Sequence, residues 1–427
     1  MKKVLIITYY WPPAGGPGVQ RWLKFVKYLP EFNIQPTVYC PENPSYPTLD
    51  SSLLQEVDSK ITVLKHPIKE PLRFLKLLFK SKTNKLSKGG IPDSKKQGLF
   101  ERFLLYIRGN FFVPDARVFW VKPSVKYLSS YISKHQIDTI ITTGPPHSVH
   151  LIGMQLKAKY QLQWLADFRD PWTDISYHKN LNLTKNTQQN HLKLEHQVLN
   201  TSDQIIVTSL QTKQLFSKIT QKPISVITNG FDDENVPSIT LDSKFSLAHI
   251  GSLLNQRNPI LLWNVLSELV QEIPKFKANF QLVLVGNVSA DVRTSIDSRG
   301  LTSFLKTVGS VTHNEAVMYQ RKTQVLLLLE ANTTEASYII PGKLFEYINS
   351  NRPIVALGPK HSDIPSILKD THTGRYFDYD NKTALKTHIL ELFEGYKTNS
   401  LSVSSKDIER FSRKNCTKQL AEVLNYK

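Results

Sequence analysis

The chain has 427 residues, 40% of them apolar, which is more than one hydrophobic core usually serves; two domains are expected and a disordered chain is excluded. Its two cysteines, Cys40 and Cys416, lie far apart with no CxxC spacing, which suits a reducing compartment and argues against a disulfide scaffold or a cysteine-ligated zinc site. The net charge of +18 is uneven, with 12 Lys and Arg against 3 acids from Lys65 to Arg108; no helix-turn-helix, zinc-finger or RNA-binding pattern accompanies it, so nucleic acid ranks behind anionic membranes and phosphorylated small molecules.

In chain order, Lys3 to Thr8 reads as a buried strand. Its apolar run stops at Ile7, before Trp11-Pro12-Pro13, and falls short of the roughly 7–15 apolar residues of a signal peptide. A Gly/Pro-rich turn, a helix from Val19 to Leu29 and a strand from Thr37 to Cys40 complete one βαβ unit. Short apolar runs follow at Asp138 to Thr142, Gln163 to Ala166 and Gln204 to Thr208, separated by helix-length segments. This alternation implies a parallel sheet covered on both faces. The pattern restarts after Asn229-Gly230-Phe231-Asp232, with strands at Phe245 to Ile250, Gln281 to Gly286, Thr307 to Gly309, Gln324 to Leu329 and Pro353 to Leu357, and a helix from Ile260 to Ile273. Two doubly wound domains joined near residues 232–242 are expected, with a single large sheet as the alternative. Asp407 to Leu424 is an amphipathic helix able to pack back on the first domain. No stretch approaches the roughly 20 apolar residues that span a bilayer.

Ligands of open α/β sheets bind beyond the carboxyl ends of the strands. There, after the first strand, Gly15, Gly16 and Gly18 let backbone N–H groups approach a phosphate at a helix start. The loop is not GxGxxG, which favours phosphate or sugar contact over NAD; a plain turn is the bland alternative. In Ile340 to Ile348, Pro341 and Gly342 break the chain before a helix marked by Leu344, Phe345 and Ile348. Lys343 then adds a point charge near a helix N-terminus that favours a diphosphate. Glu346 is either a bidentate acceptor for a ribose diol or an ordinary first-turn acid. Asp167, Arg169 and Asp170 follow a strand directly, as an ion-pair cluster or an acceptor site, and His147 lies on the preceding crossover loop. Glu335 carries little weight. No HExxH, GxSxG or Walker sequence appears, so neither a metal nor a cofactor is expected.

The order of these pieces resembles the family 4 retaining glycosyltransferases over nearly the whole chain. The resemblance rests on Gly15-Gly16-Pro17-Gly18, Val226 to Asp232, Ile250-Gly251-Ser252-Leu253, Leu284-Val285-Gly286, Val308-Gly309-Ser310-Val311, and Phe345-Glu346-Tyr347 before Arg352 to Ala356. It implies the α/β GT-B fold, two Rossmann-like doubly wound domains facing a central cleft. Residues 1–235 would bind the acceptor and residues 236–405 the nucleotide sugar, with 406–427 packing back on the first domain. It also implies sugar transfer from a nucleotide-diphosphate donor with retention, without a metal. The donor set would be Gly15, Gly16, Gly18, Gly251, Ser252, Arg257, Gly286, Val311, Pro341, Gly342, Lys343, Leu344 and Glu346. His147, Asp167, Arg257 and Lys343 would act in catalysis, and Arg169 and Asp170 would meet the acceptor. The family's basic pair falls on Ser252 and Arg257, so Lys343 replaces the missing charge, and the first acid of its paired-glutamate motif falls on Tyr338.

A glycan or lipid-linked acceptor fits the basic stretch, whose Arg73, Lys76 and Lys80 alternate with bulky apolar residues as on an anionic membrane surface. A solvated basic helix packing inward is the alternative. A cytoplasmic protein at the inner face of the membrane is expected. The competing readings are a nucleotide-sugar epimerase or hydrolase, and a catalytically weak nucleotide-sugar-binding or scaffold partner, motivated by Ser252 and Tyr338.

Overall fold

The structure, a computed structural model, describes residues 1–70, 99–175, 178, 181–232 and 239–426. The chain divides into two compact units, Met1–Asn229 with Arg413–Lys427, and Gly230–Ser412.

The first unit is built on a parallel sheet of seven strands: β1 (Lys2–Thr8), β2 (Ile34–Pro41), β3 (Thr62–His66), β4 (Thr139–Gly144), β5 (Gln163–Phe168), β6 (Gln204–Val207) and β7 (Ile224–Val226). Their order, β3-β2-β1-β4-β5-β6-β7, reverses between β1 and β4, where Leu5 is in register with Ile140. Both faces are covered, so Val4 to Ile7 are fully buried and the strand reads as an unbroken apolar run. Val4 and Ile6 meet Trp22 and Val26 of the helix Pro17–Tyr28, together with Leu420 and Leu424 of the helix Arg413–Asn425. Leu5 and Ile7 belong to the opposite layer, with Leu128 and Ile132 of Val121–His135 and Ile152 and Leu156 of Ser148–Lys159.

The second unit repeats the plan with six parallel strands, β8 (Phe245–Ile250), β9 (Phe280–Val285), β10 (Leu305–Thr307), β11 (Val325–Leu329), β12 (Ile354–Gly358) and β13 (Gly374–Asp378). The order β10-β9-β8-β11-β12-β13 reverses between β8 and β11. Leu247, Leu284 and Leu327 pack under the helices Ile260–Glu272 and Lys382–Lys397, while Ile250, Val285 and Leu328 pack with Leu344, Tyr347 and Ile348 of the short helix Lys343–Ile348.

Two separate sheets replace the single-sheet alternative. Strands β3, β7 and β13 are absent from the sequence reading because they are half-polar or only three residues long at sheet edges. The third strand of the second sheet runs Leu305–Thr307, leaving Val308 and Gly309 in the following loop. Asp407 to Leu424 is not one helix. A 3-10 turn, Ile408–Phe411, packs Phe411 on Phe345, the backbone extends at Ser412 (ψ 142°), and the helix starts at Arg413. Arg73, Lys76 and Lys80 lie outside the described residues. No described helix is long and apolar enough to cross a membrane.

Candidate functional site

The switch point of the second sheet gathers most of the expected donor residues. Gly251 ends β8 with φ +122°, Gly286 ends β9 with φ +115°, and Gly309 follows β10 with φ +44°. The Gly251 N–H donates to Val285 O at 2.7 Å and the Gly286 N–H to Gly309 O at 2.6 Å, stitching the strand ends together. A Cβ at Gly286 would stand 2.7 Å from the Gly251 backbone, and one at Gly251 would stand 2.5 Å from Lys343 Nζ. Glycine is therefore required twice, once for the loop to close and once for the lysine to reach the strand end.

Lys343 is held there by its helix. Leu344, Phe345, Tyr347 and Ile348 are fully buried, and the Tyr347 hydroxyl accepts from Ile250 N–H at 2.9 Å and donates to Ile250 O at 3.3 Å. That pair fixes the helix to the end of β8. Lys343 Nζ lies 3.3 Å from His249 Nε2. His249 is fully buried and its Nδ1 is 2.9 Å from Leu327 O, an atom that only accepts, so Nδ1 carries the hydrogen and Nε2 is left as an acceptor facing the ammonium. Burial, reinforced by the Lys343 charge, pushes the His249 pKa well below the usual imidazole value. Burial and then Arg257 push the Lys343 pKa down to about 8, against the pull of Glu330 and Glu346.

Arg257 closes the 3-10 turn Asn255–Arg257 after β8. Its guanidinium lies 3.4 Å from Glu330 Oε2, with the arginine side chain 35% exposed and the glutamate 3%. Burial pushes the Glu330 carboxyl pKa up, opposed by Arg257 and Lys343. Glu346, half-buried, accepts from Gln320 Nε2 at 2.8 Å. Pro341, Gly342 and Val311 are half-buried around this group, and Ser252 is exposed. Tyr338 closes the 3-10 turn Thr334–Tyr338, which also holds Glu335. Sequence reasoning missed Glu330 and His249. The available signal was an acid directly after the all-apolar run of β11, much as Asp167 follows the apolar Trp164-Leu165-Ala166 of β5.

The corresponding loops of the first unit are used differently. Asp167 is fully buried and accepts from Trp22 Nε1 (2.8 Å), Thr143 Oγ1 (2.7 Å) and Arg21 (3.3 Å), whose guanidinium also donates to the carbonyls of Ile227 and Thr228. Expected in catalysis, the Asp167 carboxylate is here bonded within the unit, where it ties the Pro17–Tyr28 helix to β4 and, through Arg21, to the 227–228 segment. Arg169 donates from Nε to Gly144 O at 3.0 Å and from its terminal nitrogen to Pro145 O. Its guanidinium occupies the space a Cβ on Gly18 would need, so Gly18 serves packing against Arg169. Gly15 donates to Thr48 O at 3.1 Å, whereas Gly16, exposed at φ +113°, starts the helix with open space around it. Asp170 is half-buried, with its pKa raised by burial.

His147 is buried, its ring stacked on Trp172 at 4.8 Å, and neither ring nitrogen has a hydrogen-bond partner among the described residues. Burial, then the neighbouring His150, holds its pKa well below the usual value, so the neutral ring keeps one N–H donor and one acceptor. Among the described residues no group of three His, Cys, Asp or Glu is placed to hold a metal ion.

No family model matches the sequence, and no curated protein matches it either. Solved structures do. Sucrose-phosphate synthase from Thermosynechococcus elongatus superposes with a TM-score of 0.64 over 99% of this chain and 98% of that one, at 13% identity. Anabaena HepE, in complex with UDP and glucose, gives 0.64 over the whole of both chains at 14% identity. The lipopolysaccharide outer core galactosyltransferase WaaB gives 0.59 over 99% and 100%, at 14% identity. This chain has the GT-B fold. At these identities the likeness concerns the fold, and function has to be argued from the site.

Proposed function

We propose that this chain is a glycosyltransferase that takes a sugar from a nucleotide-diphosphate donor bound at the switch point of its second unit. The observation that carries the reading is the pair Arg257 and Lys343: Lys343 Nζ reaches Gly251 at the end of β8, and Arg257, in the turn after β8, meets Glu330 directly after β11. Cleaving a glycosidic bond to a diphosphate develops negative charge on the leaving group. Preorganised cations in a partly dehydrated site stabilise that charge without waiting for solvent to reorganise. Glu346 lies one turn along the same helix, suited to two ribose hydroxyls, with Gln320 orienting it. A metal is not needed in this scheme, since two side-chain cations supply the charge.

Two similar proteins are seen with UDP and a sugar, Anabaena HepE with UDP and glucose or with UDP-glucose and S. aureus TarM with UDP and alpha-GlcNAc-glycerol, which makes uridine the first base to try. Transfer with retention, as in family 4, and a glycan or lipid-linked acceptor in surface polysaccharide synthesis complete the reading. Acceptor binding falls to the first unit, where His147, Arg169 and Asp170 border the ends of β4 and β5. Attachment to an anionic membrane surface through Arg73, Lys76 and Lys80, on a protein in the cytoplasm, belongs to the same proposal; liposome sedimentation with neutral against anionic lipid tests it, and equal partitioning refutes it.

The deciding experiment incubates the protein with UDP-, GDP- and ADP-sugars and membrane extract and follows nucleoside diphosphate release. Release that depends on extract supports transfer. Binding without release under any pairing favours a nucleotide-sugar-binding role instead. Conversion of the sugar without an acceptor favours an epimerase, a reading that has one similar fold behind it, a protein titled a UDP-N-acetylglucosamine 2-epimerase from Listeria monocytogenes, with a TM-score of 0.55 at 13% identity.

A further inference from the structure

Glu330 is an uncommon kind of residue to find in an anion site. It directly follows β11 and is 2% exposed. Its backbone is fixed on both sides, the N–H donating to Leu357 O at 2.9 Å and the carbonyl accepting from the Tyr379 hydroxyl at 2.7 Å. That frame fixes the point from which the side chain starts. One of its oxygens, Oε2, meets Arg257 at 3.4 Å, and the other, Oε1, has no hydrogen-bond partner among the described residues. A buried carboxylate oxygen without a donor is costly, and a proton on that oxygen removes the charge, the larger part of the cost. The groups facing it are Arg257 from the turn after β8, Lys343 from the helix start, Tyr347 from the same helix, and Tyr376 and Tyr379 from β13 and the residues after it. None of these is an acid.

We propose that Glu330 is the exchangeable counter-ion of the Arg257–Lys343 pair, holding the guanidinium in place before binding and taking up one proton on Oε1 when a nucleoside diphosphate engages the two cations. The proposal rests on the nucleotide reading of this site. The proton comes from solvent, joins the carboxylate, and no other bond is made or broken. The physical reason is charge balance. Before binding, Glu330 faces both cations, Glu346 adds its pull on Lys343, and the Arg257–Glu330 ion pair is favourable. A diphosphate brings at least two negative charges against the same cations, and Glu330 then faces like charge in a poorly hydrated place. Like charge and burial both favour the neutral acid. Burial already pushes this carboxyl upward, in the same direction as the like charge of a diphosphate would. Lys343, at about 8, is charged at pH 7 and takes up little there, so uptake at pH 7 belongs to the carboxylate.

The test is titration calorimetry of UDP, GDP and ADP at pH 7 in three buffers of different ionisation enthalpy, whose slope counts protons taken up on binding. Wild type is expected to take up on the order of half a proton more than Glu330→Gln with the same nucleotide, so that protons carried by the nucleotide itself cancel. Glu330→Gln is also expected to bind about 3- to 10-fold more tightly at pH 7.5, and to lose the weakening that wild type shows between pH 6 and 7.5. Glu330→Asp keeps the acid and should keep the uptake. Equal proton counts in wild type and Glu330→Gln, with Lys343→Ala binding weakly, overturn the Glu330 assignment and leave the nucleotide site standing. Should the Gln variant not fold, a wild-type affinity that is flat between pH 6 and 7.5 overturns it equally. No binding of any of the three nucleotides, or a Lys343→Ala affinity equal to wild type, removes the nucleotide reading and the assignment with it.

Discussion

The two switch points of this molecule carry similar residues and use them in opposite ways. In the first unit, at the end of β5, Asp167 accepts from Trp22, Thr143 and Arg21, and Arg169 donates to the carbonyls of Gly144 and Pro145. In the second, Arg257 keeps a third of its side chain in solvent, Lys343 faces a neutral histidine, and Glu330 has an oxygen with no donor among the described residues. Charge at a strand end therefore does not identify a ligand site. Left-over hydrogen-bonding capacity points to one where the charge is also within reach of solvent, as it is for Arg257 and Lys343 and is not for the buried Arg21, whose Nε also lacks a partner among the described residues.

The sharpest way to break this comparison is to remove the two carboxylates separately. Asp167→Ala leaves the buried Arg21 guanidinium without its counter-ion and the Trp22 N–H without an acceptor. A loss of about 3–5 kcal/mol of unfolding free energy is expected, measured by urea denaturation, because removing one partner of a buried ion pair strands the other. Nucleotide affinity of the folded fraction should not change. A loss below about 1 kcal/mol means that Asp167 is not an anchor.

Acid should act next, and in both units, since burial pushes His249 of the second unit down as well. His150, His178 and His191 of the first unit have pKa values pushed down by burial to about 3, 4 and 4. Their unfolded value is 6.5, so above that pH they cost nothing, and as pH falls from 6.5 toward 4 the unfolded state binds the additional protons. Stability then falls by up to about 1.4 kcal/mol per pH unit for each group. Glu195, raised by burial to about 7, acts in the other sense, losing stability as pH rises from 4.5 through 7, and offsets one histidine. The net expectation is acid lability beginning below pH 6.5, read by thermal melts across pH. A melting temperature that rises on acidification from 6.5 to 5 contradicts this assignment.

Lys343→Ala is expected to behave in the reverse manner to Asp167→Ala. It removes a half-buried cation whose nearest polar neighbour is a neutral histidine, so stability should hold to within about 1 kcal/mol while nucleoside diphosphate affinity drops about 10- to 100-fold by calorimetry. A variant that loses stability but keeps affinity makes the lysine a structural residue.

How far these differences were legible in the sequence follows from what each depends on. The alternation of apolar runs and helix-length segments set the architecture, since strands covered on both faces have to read that way. The edges did not show, because Thr62 to His66 and Gly374 to Asp378 face partly into water and lose that signature. Lys343 was visible at a helix start after Pro341 and Gly342, and Arg257 through the family resemblance. Glu330 and His249 were not, because nothing in a linear sequence states that Oε1 of one lacks a donor or that the other points its Nε2 at an ammonium. Asp167 looked catalytic for the same reason, since Trp22 and Thr143, the donors that occupy it, are 145 and 24 residues away. The break at Ser412 was equally hidden, where one amphipathic pattern covers a turn in one unit and a helix in the other.

The smallest effect concerns the glycines, and it sharpens the same contrast. Gly16 and Gly286 have nearly equal positive φ, +113° and +115°, so alanine carries a similar backbone strain at both, of order 1–2 kcal/mol. They differ in what a methyl group would meet: nothing within 4 Å at Gly16, and the Gly251 backbone at 2.7 Å at Gly286. Strain alone should leave Gly16→Ala mildly destabilised. Gly286→Ala should cost about 1–3 kcal/mol more, as overpacking does, and should also weaken nucleotide binding, because Gly251 has to move and Lys343 Nζ lies against it. Equal stability losses in the two variants, with nucleotide affinity intact in Gly286→Ala, mean that the strand ends of β8 and β9 yield without disturbing the lysine. The close stitching of Gly251, Gly286 and Gly309 then serves the sheet alone.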